Sequence, residues 1–262
     1  MKKAFLSFCG IVCALSCSEI SPTLSDVDQV VTFNDVSSLT KATESSFENG
    51  DPISVFATDD RYGDFGYDNY ADNVKYVYSA GKFTPATYND GITYPDDYTD
   101  LSFCAIYPYS TDYSESEIDF SVKLDQRASA DYHDSNLMVA VTSATDSKSV
   151  DLAFDHMMCK VIVNYSGSNI PAGDTYMMLN DVYYTASIDL NEMKVETGTK
   201  VSPIIGCPNG TNSFKVLIPP QVIVSGTEFM YILIGDKSWV WRPSKNLHLS
   251  SGTEYEYSLT LN

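Results

Sequence analysis

The chain has 262 residues, of which 44% are hydrophobic and 19% charged, with 16 Lys and Arg against 35 Asp and Glu. The apolar fraction is enough for a folded core, which excludes wholesale disorder. A formal net charge of −19 argues against nucleic-acid binding, because phosphate contacts require a dense Lys and Arg surface. The 19 Tyr and 12 Phe residues favour strands over helices and predict a mostly β protein.

Residues 1–17 have the pattern of a bacterial export signal. Lys2 and Lys3 precede an apolar run over residues 4–15, and Cys17 follows a small residue, Ser16. The run is shorter than the roughly 20 residues that cross a bilayer as a helix, so a cleaved signal is favoured over a membrane anchor. The small residue before Cys17 resembles a lipobox and predicts lipidation of Cys17, by palmitate or another acyl chain, and attachment to the outer membrane. Ordinary signal cleavage beside an incidental cysteine is the alternative.

Short strand-like runs separated by turn residues follow along the chain. Residues 30–33 are β-branched and aromatic, and residues 53–57 alternate at period two, as a half-buried strand does. Residues 79–82 predict a hairpin turn between two runs. The remaining predicted strands cover residues 101–107, 137–141, 150–154, 160–164, 175–179, 186–190, 213–218, 229–234 and 255–261.

Turn residues recur every 8–15 residues along this stretch, and no long segment keeps a 3.6-residue apolar period. Short strands at such spacing are typical of β-sandwiches. Charge is uneven as well, with 24 acids against seven bases over residues 18–150 and 11 acids against seven bases afterwards. We therefore predict an all-β chain with two β-sandwich domains in tandem, residues 18–148 and residues 149–262, and little helix.

Sequence motifs for catalysis are absent, since HExxH, GxSxG, GxGxxG and Walker loops do not occur. The three histidines, His133, His156 and His248, lie in separate segments. A Ser-His-Asp triad stays a formal alternative because its members need not be adjacent in the chain. We predict no enzymatic activity and no cofactor, and a structural role for His156 near the domain junction.

After residue 17 the cysteines are Cys104, Cys159 and Cys207. Three thiols do not make a disulfide framework, and the lack of a CxxC motif argues against zinc. Cys104 and Cys159 lie in strand-like runs and are predicted to be small buried hydrophobes. Cys207 is predicted in a Gly-Cys-Pro turn.

An acidic, aromatic loop is predicted over residues 59–73. Its carboxylates suggest calcium, but neither Asp59 nor Asp60 as first ligand places Gly at the sixth and Glu at the twelfth position of an EF-hand loop. A solvated loop is therefore favoured, and a looser calcium site stays open. The candidate residues of this loop are Asp59, Asp60, Asp64, Asp68 and Asp72, together with Tyr62, Phe65, Tyr67 and Tyr70.

Two tryptophans, Trp239 and Trp241, are two residues apart and so project from one face of a strand. Aromatic side chains on a strand face suit either a sugar-stacking platform or a packed core. Packing in the core or at an interface is favoured here.

Motifs spread over residues 28–262 resemble the fimbrillin superfamily of Bacteroidales, the Mfa-like pilus subunits. Residues 47–56, FENGDPISVF, look like the family's opening segment F-x-x-G-D-x-I-x-V-F. Residues 106–109, IYPY, resemble its aromatic-Pro-Tyr strand end. The remaining matches are Asp125 and Gln126 followed by NLMVA at residues 136–140, FDH at 154–156, Pro220 and Gln221, and GTEYEY at 252–257.

This resemblance implies a lipoprotein precursor with two transthyretin-like β-sandwich domains, exported to the outer membrane and built into or beside a fimbria. In the family an arginine-directed protease cuts after the first strand. The matching bond here is Lys41–Ala42, with Lys where Arg is usual. Cleavage would release the strand near residues 30–33 and open a groove that accepts another subunit's strand by β-augmentation.

The expected partners are therefore other fimbrial subunits, a maturation protease and the outer membrane through a lipid, with adhesion as the cellular role. The family's stalk subunits carry extra C-terminal residues as a donor strand, whereas this sequence ends at Asn262, which favours a tip or accessory position. The alternative is a monomeric outer-membrane lipoprotein that binds glycan or protein through the acidic aromatic loop.

Overall fold

The computed structural model describes residues 29–36, 47–59, 64–66, 68–96, 99–113 and 117–262. Strands dominate these ranges, and their helices are one 3-10 turn, Tyr88–Asp90, and one short α-helix, α1, Ser129–Asp134. The all-β prediction is confirmed. The strands in chain order are β1 Thr32–Asp35, β2 Pro52–Asp59, β3 Ala71–Ser79, β4 Lys82–Pro85, β5 Leu101–Tyr107, β6 Glu117–Ser121, β7 Met138–Val141, β8 Ser149–Leu152, β9 Asp155–His156, β10 Cys159–Ser166, β11 Thr175–Tyr183, β12 Thr185–Asp189, β13 Lys194–Thr197, β14 Val201–Ile205, β15 Cys207–Pro208, β16 Ser213–Ile218, β17 Gln221–Ile223, β18 Met230–Ile234, β19 Lys237–Trp241, β20 Leu247–Leu249 and β21 Glu254–Thr260.

The strands form five sheets. The largest has eight strands in the order β8-β1-β4-β3-β2-β5-β7-β9, and carries most of the first half of the chain. Two four-stranded sheets, β15-β16-β10-β21 and β14-β11-β18-β19, carry most of the second half. A three-stranded sheet, β13-β12-β6, and the pair β17-β20 complete the fold. The apolar faces of these sheets bury two hydrophobic cores.

The predicted hairpin at residues 79–82 joins β3 to β4. Ala80 and Gly81 occupy its centre with φ of 50° and 92°. Two consecutive residues with positive φ match the backbone twist of antiparallel strands, and glycine adopts this conformation without strain. The turn therefore sets the register in which Tyr78 lies opposite Phe83.

The strand predicted at residues 53–57 is not half-buried, because both of its faces lie in cores. Ile53, Val55 and Ala57 of β2 face the core of the eight-stranded sheet, whereas Phe56 points into the larger core of the second half. The same split occurs in β5, where Phe103 faces one core and Ile106 the other. The strands of the second half pack on the outer face of this sheet. The face of β2 that was expected to lie in solvent is therefore apolar and buried.

Several elements interlock across residue 148, the predicted end of the first domain. The strand predicted at residues 150–154 is β8, and it pairs with β1 in the eight-stranded sheet. β9 pairs with β7 in the same sheet, while β6 pairs with β12 of the second half. The division into two transthyretin-like domains at this residue stays a prediction.

Gln126 ties the two halves together through its side-chain amide. It is fully buried, its Nε2 donates to the Leu217 carbonyl at 2.8 Å, and its Oε1 accepts from the Leu217 amide at 2.9 Å. The side chain thereby continues the hydrogen-bond pattern of the sheet that contains β16. Its backbone amide also donates to the Ile205 carbonyl, at 2.9 Å.

Cys104, Cys159 and Cys207 are free and buried. Burial raises the pKa of the Cys104 thiol, and it raises the pKa of Cys159 to about 12. The prediction that Cys104 and Cys159 are small core residues is confirmed. The prediction that Cys207 lies in a turn is wrong. Cys207 belongs to β15 and pairs with Lys215 of β16.

Candidate functional site: the seat of the first strand

β1 is an internal strand of the eight-stranded sheet. It pairs antiparallel with β4, with Phe33 opposite Phe83, and parallel with β8, with Phe33 opposite Val150. Just before it, the Val31 amide donates to the Ile92 carbonyl at 2.8 Å. The strand predicted at residues 30–33 therefore exists and has partners on both edges.

The side chains of β1 fill the core beneath the sheet. Val31 and Phe33 have no exposed surface. The Phe33 ring meets Tyr76 and Phe103 edge-on, with ring centroids 4.9 and 5.1 Å apart. Such edge-to-face pairs contribute about 0.5–1.5 kcal/mol beyond the burial of area, so Phe33 anchors this strand.

Tyr76 positions the loop segment that holds the start of this strand. Its hydroxyl accepts a hydrogen bond from the Ile92 amide at 3.0 Å, and the Ile92 carbonyl in turn receives the Val31 amide. Burial raises the pKa of Tyr76 to about 12, so the hydroxyl stays uncharged even at alkaline pH. The floor of the site at Tyr76 is thus uncharged and hydrogen-bonded.

The outer edge of β1 supports β8. Asn34 Nδ2 donates to Ser149 Oγ at 3.1 Å and to Asp151 Oδ1 at 2.8 Å, and the Val36 amide donates to the Leu152 carbonyl at 2.9 Å. Within the described part of the chain, β8 has no other strand neighbour than β1. Loss of β1 would therefore leave two unpaired edges, those of β4 and β8, one strand apart. We call the gap between these two edges the seat of the first strand.

Phe47 closes one side of this site. It follows residues 37–46 in the chain and is buried, with its ring centroid 4.9 Å from Phe83, 5.1 Å from Phe154 and 5.4 Å from Tyr107. Phe83 lies in β4, which pairs with β1, and its ring also contacts Phe47. Phe47 lies on the C-terminal side of the predicted cleavage site and would remain with the protein after a cut.

This geometry can bind an extended strand without any cofactor. The two edges supply main-chain donors and acceptors, and the pockets that hold Val31 and Phe33 accept side chains at alternate positions. This is the chemistry of β-augmentation, in which main-chain bonds give affinity and alternate pockets give specificity. The position of β8 on the far edge was not predicted, and no local signal encodes a parallel partner 117 residues away in the chain.

The three predicted site residues, Cys17, Lys41 and Ala42, lie outside the residues that the structure describes. Lipidation of Cys17 and cleavage between Lys41 and Ala42 therefore stay predictions. Within the described ranges, no helix is both long and apolar enough to cross a membrane.

The acidic aromatic loop is attached to the second half of the chain through Phe65. This residue is buried in the larger core, its amide donates to Asn191 Oδ1 at 2.8 Å, and its carbonyl accepts from Asn191 Nδ2 at 3.0 Å. Tyr70 is 41% exposed, and its hydroxyl donates to the Thr93 carbonyl.

The rest of the loop is only partly described. The structure does not describe Tyr62, Tyr67 or Asp60, whereas Asp59 is buried in β2. Among the residues described, no group of His, Cys, Asp or Glu is placed to hold a metal ion.

Trp239 and Trp241 lie on β19 and are half-buried against the larger core. The Trp241 ring centroid is 5.5 Å from Tyr257 and 6.4 Å from Phe229. The Trp239 indole donates to the Asn262 carbonyl at 3.2 Å. Both side chains are packed against the core, and the Trp241 ring is tilted against its two aromatic neighbours, which favours the packing interpretation.

His156 lies where the eight-stranded sheet meets β10. Its Nδ1 is 2.9 Å from Oδ1 of Asn136, and it lines a small cavity with Lys160 and His133. Burial lowers the pKa of His156, and the nearby Lys160 lowers it further. The structural role of His156 stays a prediction, which its partial burial and its contact with the Asn136 side chain support.

The family model described as Fimbrillin-like matches residues 40–262 of the chain. No curated protein sequence matches. Among solved structures, a proposed cell adhesion protein from Bacteroides ovatus superposes with a TM-score of 0.69 at 14% identity, over 88% of this chain and 92% of the other. A second from Bacteroides uniformis has a TM-score of 0.67 at 16% identity, over 89% and 92%. A third from Bacteroides thetaiotaomicron has a TM-score of 0.57 at 15% identity, over 88% and 92%.

Proposed function

Because the chain belongs to the Fimbrillin-like family, we propose that it is a fimbrial subunit that assembles by strand donation and mediates adhesion at the cell surface. The observation that carries the proposal is the place of β1, an internal strand between β4 and β8 that precedes the segment containing Lys41. Removing an internal strand opens two edges at once, so the vacated seat binds a replacement strand on both sides.

Maturation begins with the lipoprotein signal. Cys17 carries the acyl anchor that brings the precursor to the outer membrane, and a protease then cuts between Lys41 and Ala42. The cut separates β1 from the rest of the sheet, and the neighbouring subunit supplies a strand with apolar side chains where Val31 and Phe33 were. The protein's role is structural and adhesive rather than catalytic.

The monomeric alternative, ligand binding through the acidic aromatic loop, has less support. Phe65 of this loop is buried, and its backbone is hydrogen-bonded to the Asn191 side chain. The Tyr70 hydroxyl donates a hydrogen bond to a backbone carbonyl. The Phe65 ring therefore serves packing, and the Tyr70 hydroxyl is already occupied by a hydrogen bond within the chain.

N-terminal sequencing of protein from sheared surface fibres tests the proposal. We expect a chain that starts at Ala42. A Lys41→Ala variant is the control, and we expect it to retain β1 and to be missing from fibres, whereas Lys41→Arg is incorporated. Recovery of the chain only as acylated protein from membranes, with none in fibres, would contradict assembly.

A peptide competition tests strand exchange itself. A synthetic peptide of residues 29–36 should slow fibre growth by the cleaved protein, because it refills the seat between β4 and β8. The matched control is the same peptide with Phe33→Asp, which places a carboxylate in the apolar pocket and should have no effect. Equal effects of both peptides would argue against a strand-specific groove.

A further inference from the structure

Far along the chain from β1, strand β21 is an edge strand among the residues that the structure describes. This strand is the last member of the sheet β15-β16-β10-β21 and pairs in parallel with β10 over seven residues. The Thr253 carbonyl and the Leu261 amide both bond to the β10 side. Since main-chain groups alternate in direction along a strand, the amides of Glu256, Ser258 and Thr260 point away from β10.

β21 lacks several of the features that usually protect an edge. It is the longest edge strand in the described sheets, and its sequence, EYEYSLT, contains neither Lys nor Pro. Natural sheets block edge pairing with short strands, Lys, Pro or bulges. Of the two carboxylates on this strand, Glu254 is paired with the Lys160 ammonium at 3.2 Å, and Glu256 accepts a hydrogen bond from the Asn164 side-chain amide at 2.6 Å and keeps its charge.

The apolar side chains beside this edge are only partly covered. Tyr257 and Leu259 of β21 and Trp239 and Trp241 of β19 are half-buried, although all four pack on the larger core. A cleft of about 180 Å³ separates the Trp239–Trp241 face of β19 from Leu259. Cavities of this size hold a benzene-sized group, so the cleft has room for one large apolar side chain.

The charge of this cleft differs from that of the molecule. The chain carries a net charge of −19, yet the lining of the cleft and of the adjoining groove includes Lys237 and no carboxylate side chain. An acidic subunit would be repelled by most of this surface, whereas Lys237 attracts a carboxylate at this groove. The site therefore favours an extended segment of a neighbouring subunit, with a carboxylate near Lys237.

We propose that the β21 edge is a second strand-acceptor site, which binds an extended strand of a neighbouring fimbrial subunit and buries one of its apolar side chains between Trp239, Trp241 and Leu259. The inference rests on the proposed function and adds a contact to it that is independent of β1. A subunit would then be held at two seats, one vacated by cleavage and one open from the start.

Hydrogen–deuterium exchange on sheared fibres and on the soluble full chain tests the inference. In the soluble chain the amides of Glu256, Ser258 and Thr260 should exchange fast, and in fibres they should slow at least tenfold. Unchanged exchange of these three amides in fibres would overturn the second site, even where the amides of β4 and β8, which β1 already protects in the full chain, stay protected in fibres. Absence of the chain from fibres would instead overturn the proposed function together with this inference.

Edge variants give an independent readout. Ser258→Pro removes one outward amide while leaving the β10 ladder intact, as edge strands tolerate. We expect its incorporation into fibres to fall at least tenfold below that of Ser258→Ala, with an unchanged start at Ala42. Thr260→Pro serves if the first variant fails to fold, as judged by circular dichroism. Equal incorporation of folded Pro and Ala variants would overturn the inference.

Discussion

Phe33 is the side chain on which the seat of the first strand depends. It is completely buried and makes edge-to-face contacts with Tyr76 and Phe103, yet it belongs to a strand that is proposed to leave. The interactions that stabilise the precursor are therefore the same ones that a donor strand has to replace. A donor without a large apolar residue at this position would leave a cavity.

Phe33→Ala should lower the free energy of unfolding of the full chain by about 3–5 kcal/mol, the usual cost of truncating a buried aromatic ring. Urea denaturation followed by circular dichroism measures the change. Val36→Ala is the matched control, because Val36 follows the same strand and is 48% exposed. Its effect should stay within about 0.5 kcal/mol. Similar losses for the two variants would show that the Phe33 pocket is not tightly packed.

His156 predicts a pH dependence of stability. Its folded-state pKa lies below the ordinary value of 6.5, because of burial and the nearby Lys160, with Asp155 opposing. The unfolded chain therefore takes up a proton first as pH falls. The contribution of the neutral imidazole is complete above about pH 6.5 and is lost as pH falls toward the folded-state pKa.

The measurement compares unfolding free energies of wild-type and His156→Gln chains at pH 8 and pH 5. We expect wild type to lose more stability than the variant over this interval, since Gln does not titrate. The difference between the two chains isolates His156 from the many carboxylates that also respond to acid. An identical pH dependence would mean that the imidazole titrates normally in the folded chain.

Two glutamines show that family-type motifs can be structural. The buried Gln126 pairs with the Leu217 backbone, and Gln221 does the same with Tyr183, accepting its amide at 2.9 Å and donating to its carbonyl at 3.1 Å. In both cases a side-chain amide replaces a strand in completing backbone hydrogen bonds. These two side chains therefore join neighbouring sheets.

Strand β21 is held to its sheet by a buried ion pair as well as by the ladder with β10. Lys160 and Glu254 are register partners, and their side chains are 8% and 25% exposed. A charge in this environment depends on its partner, because the protein interior solvates it poorly. The pair fixes the start of the edge strand.

Glu254→Gln should destabilise the chain by about 1–3 kcal/mol, since it leaves the Lys160 ammonium buried without its counter-ion, with the effect moderated by partial exposure of Glu254. Thermal or urea unfolding measures it. Glu196→Gln is the matched control, because its pair with Lys194 is more than half exposed on both sides. The control should show no measurable change. Equal behaviour would indicate that water reaches the Lys160 pair.

The whole molecule is united by the larger core, which spans both halves of the chain. Phe56 of β2 and Ile106 of β5 belong to the same buried cluster as Met177 and Phe229 of the second half. The hydrogen bonds of Gln126 with Leu217, and of Phe65 with Asn191, add polar connections between the halves. Such shared burial predicts cooperative unfolding of the described fold rather than two separate transitions.

Phe56→Ala tests this coupling. Both tryptophans of the chain are in β19, so intrinsic tryptophan fluorescence reports on the second half. We expect the variant, although altered in the first half, to lower the fluorescence midpoint and the circular dichroism midpoint together, at a cost of about 3–5 kcal/mol. A fluorescence transition that keeps its wild-type midpoint would show that the halves unfold independently.

The amino-acid sequence by itself determined the strand class and many strand positions. β5 and β16 begin and end at the residues predicted from their apolar runs, and Ala80 and Gly81 define the hairpin between β3 and β4. These features are local, because side-chain alternation and turn conformations are encoded within a few residues. The family resemblance was also readable, since its motifs keep their order along the chain.

Only the tertiary structure decided which strands are neighbours and which faces are buried. The parallel pairing of β1 with β8, the second buried face of β2, the burial of Phe65 and the open edge of β21 all depend on contacts between distant segments. The hydrogen bonds between strands join main-chain groups that every sequence has, so the residues of one strand do not determine which strand it pairs with. That choice is made by how the apolar faces of all the sheets fit together, which is a property of the assembled chain.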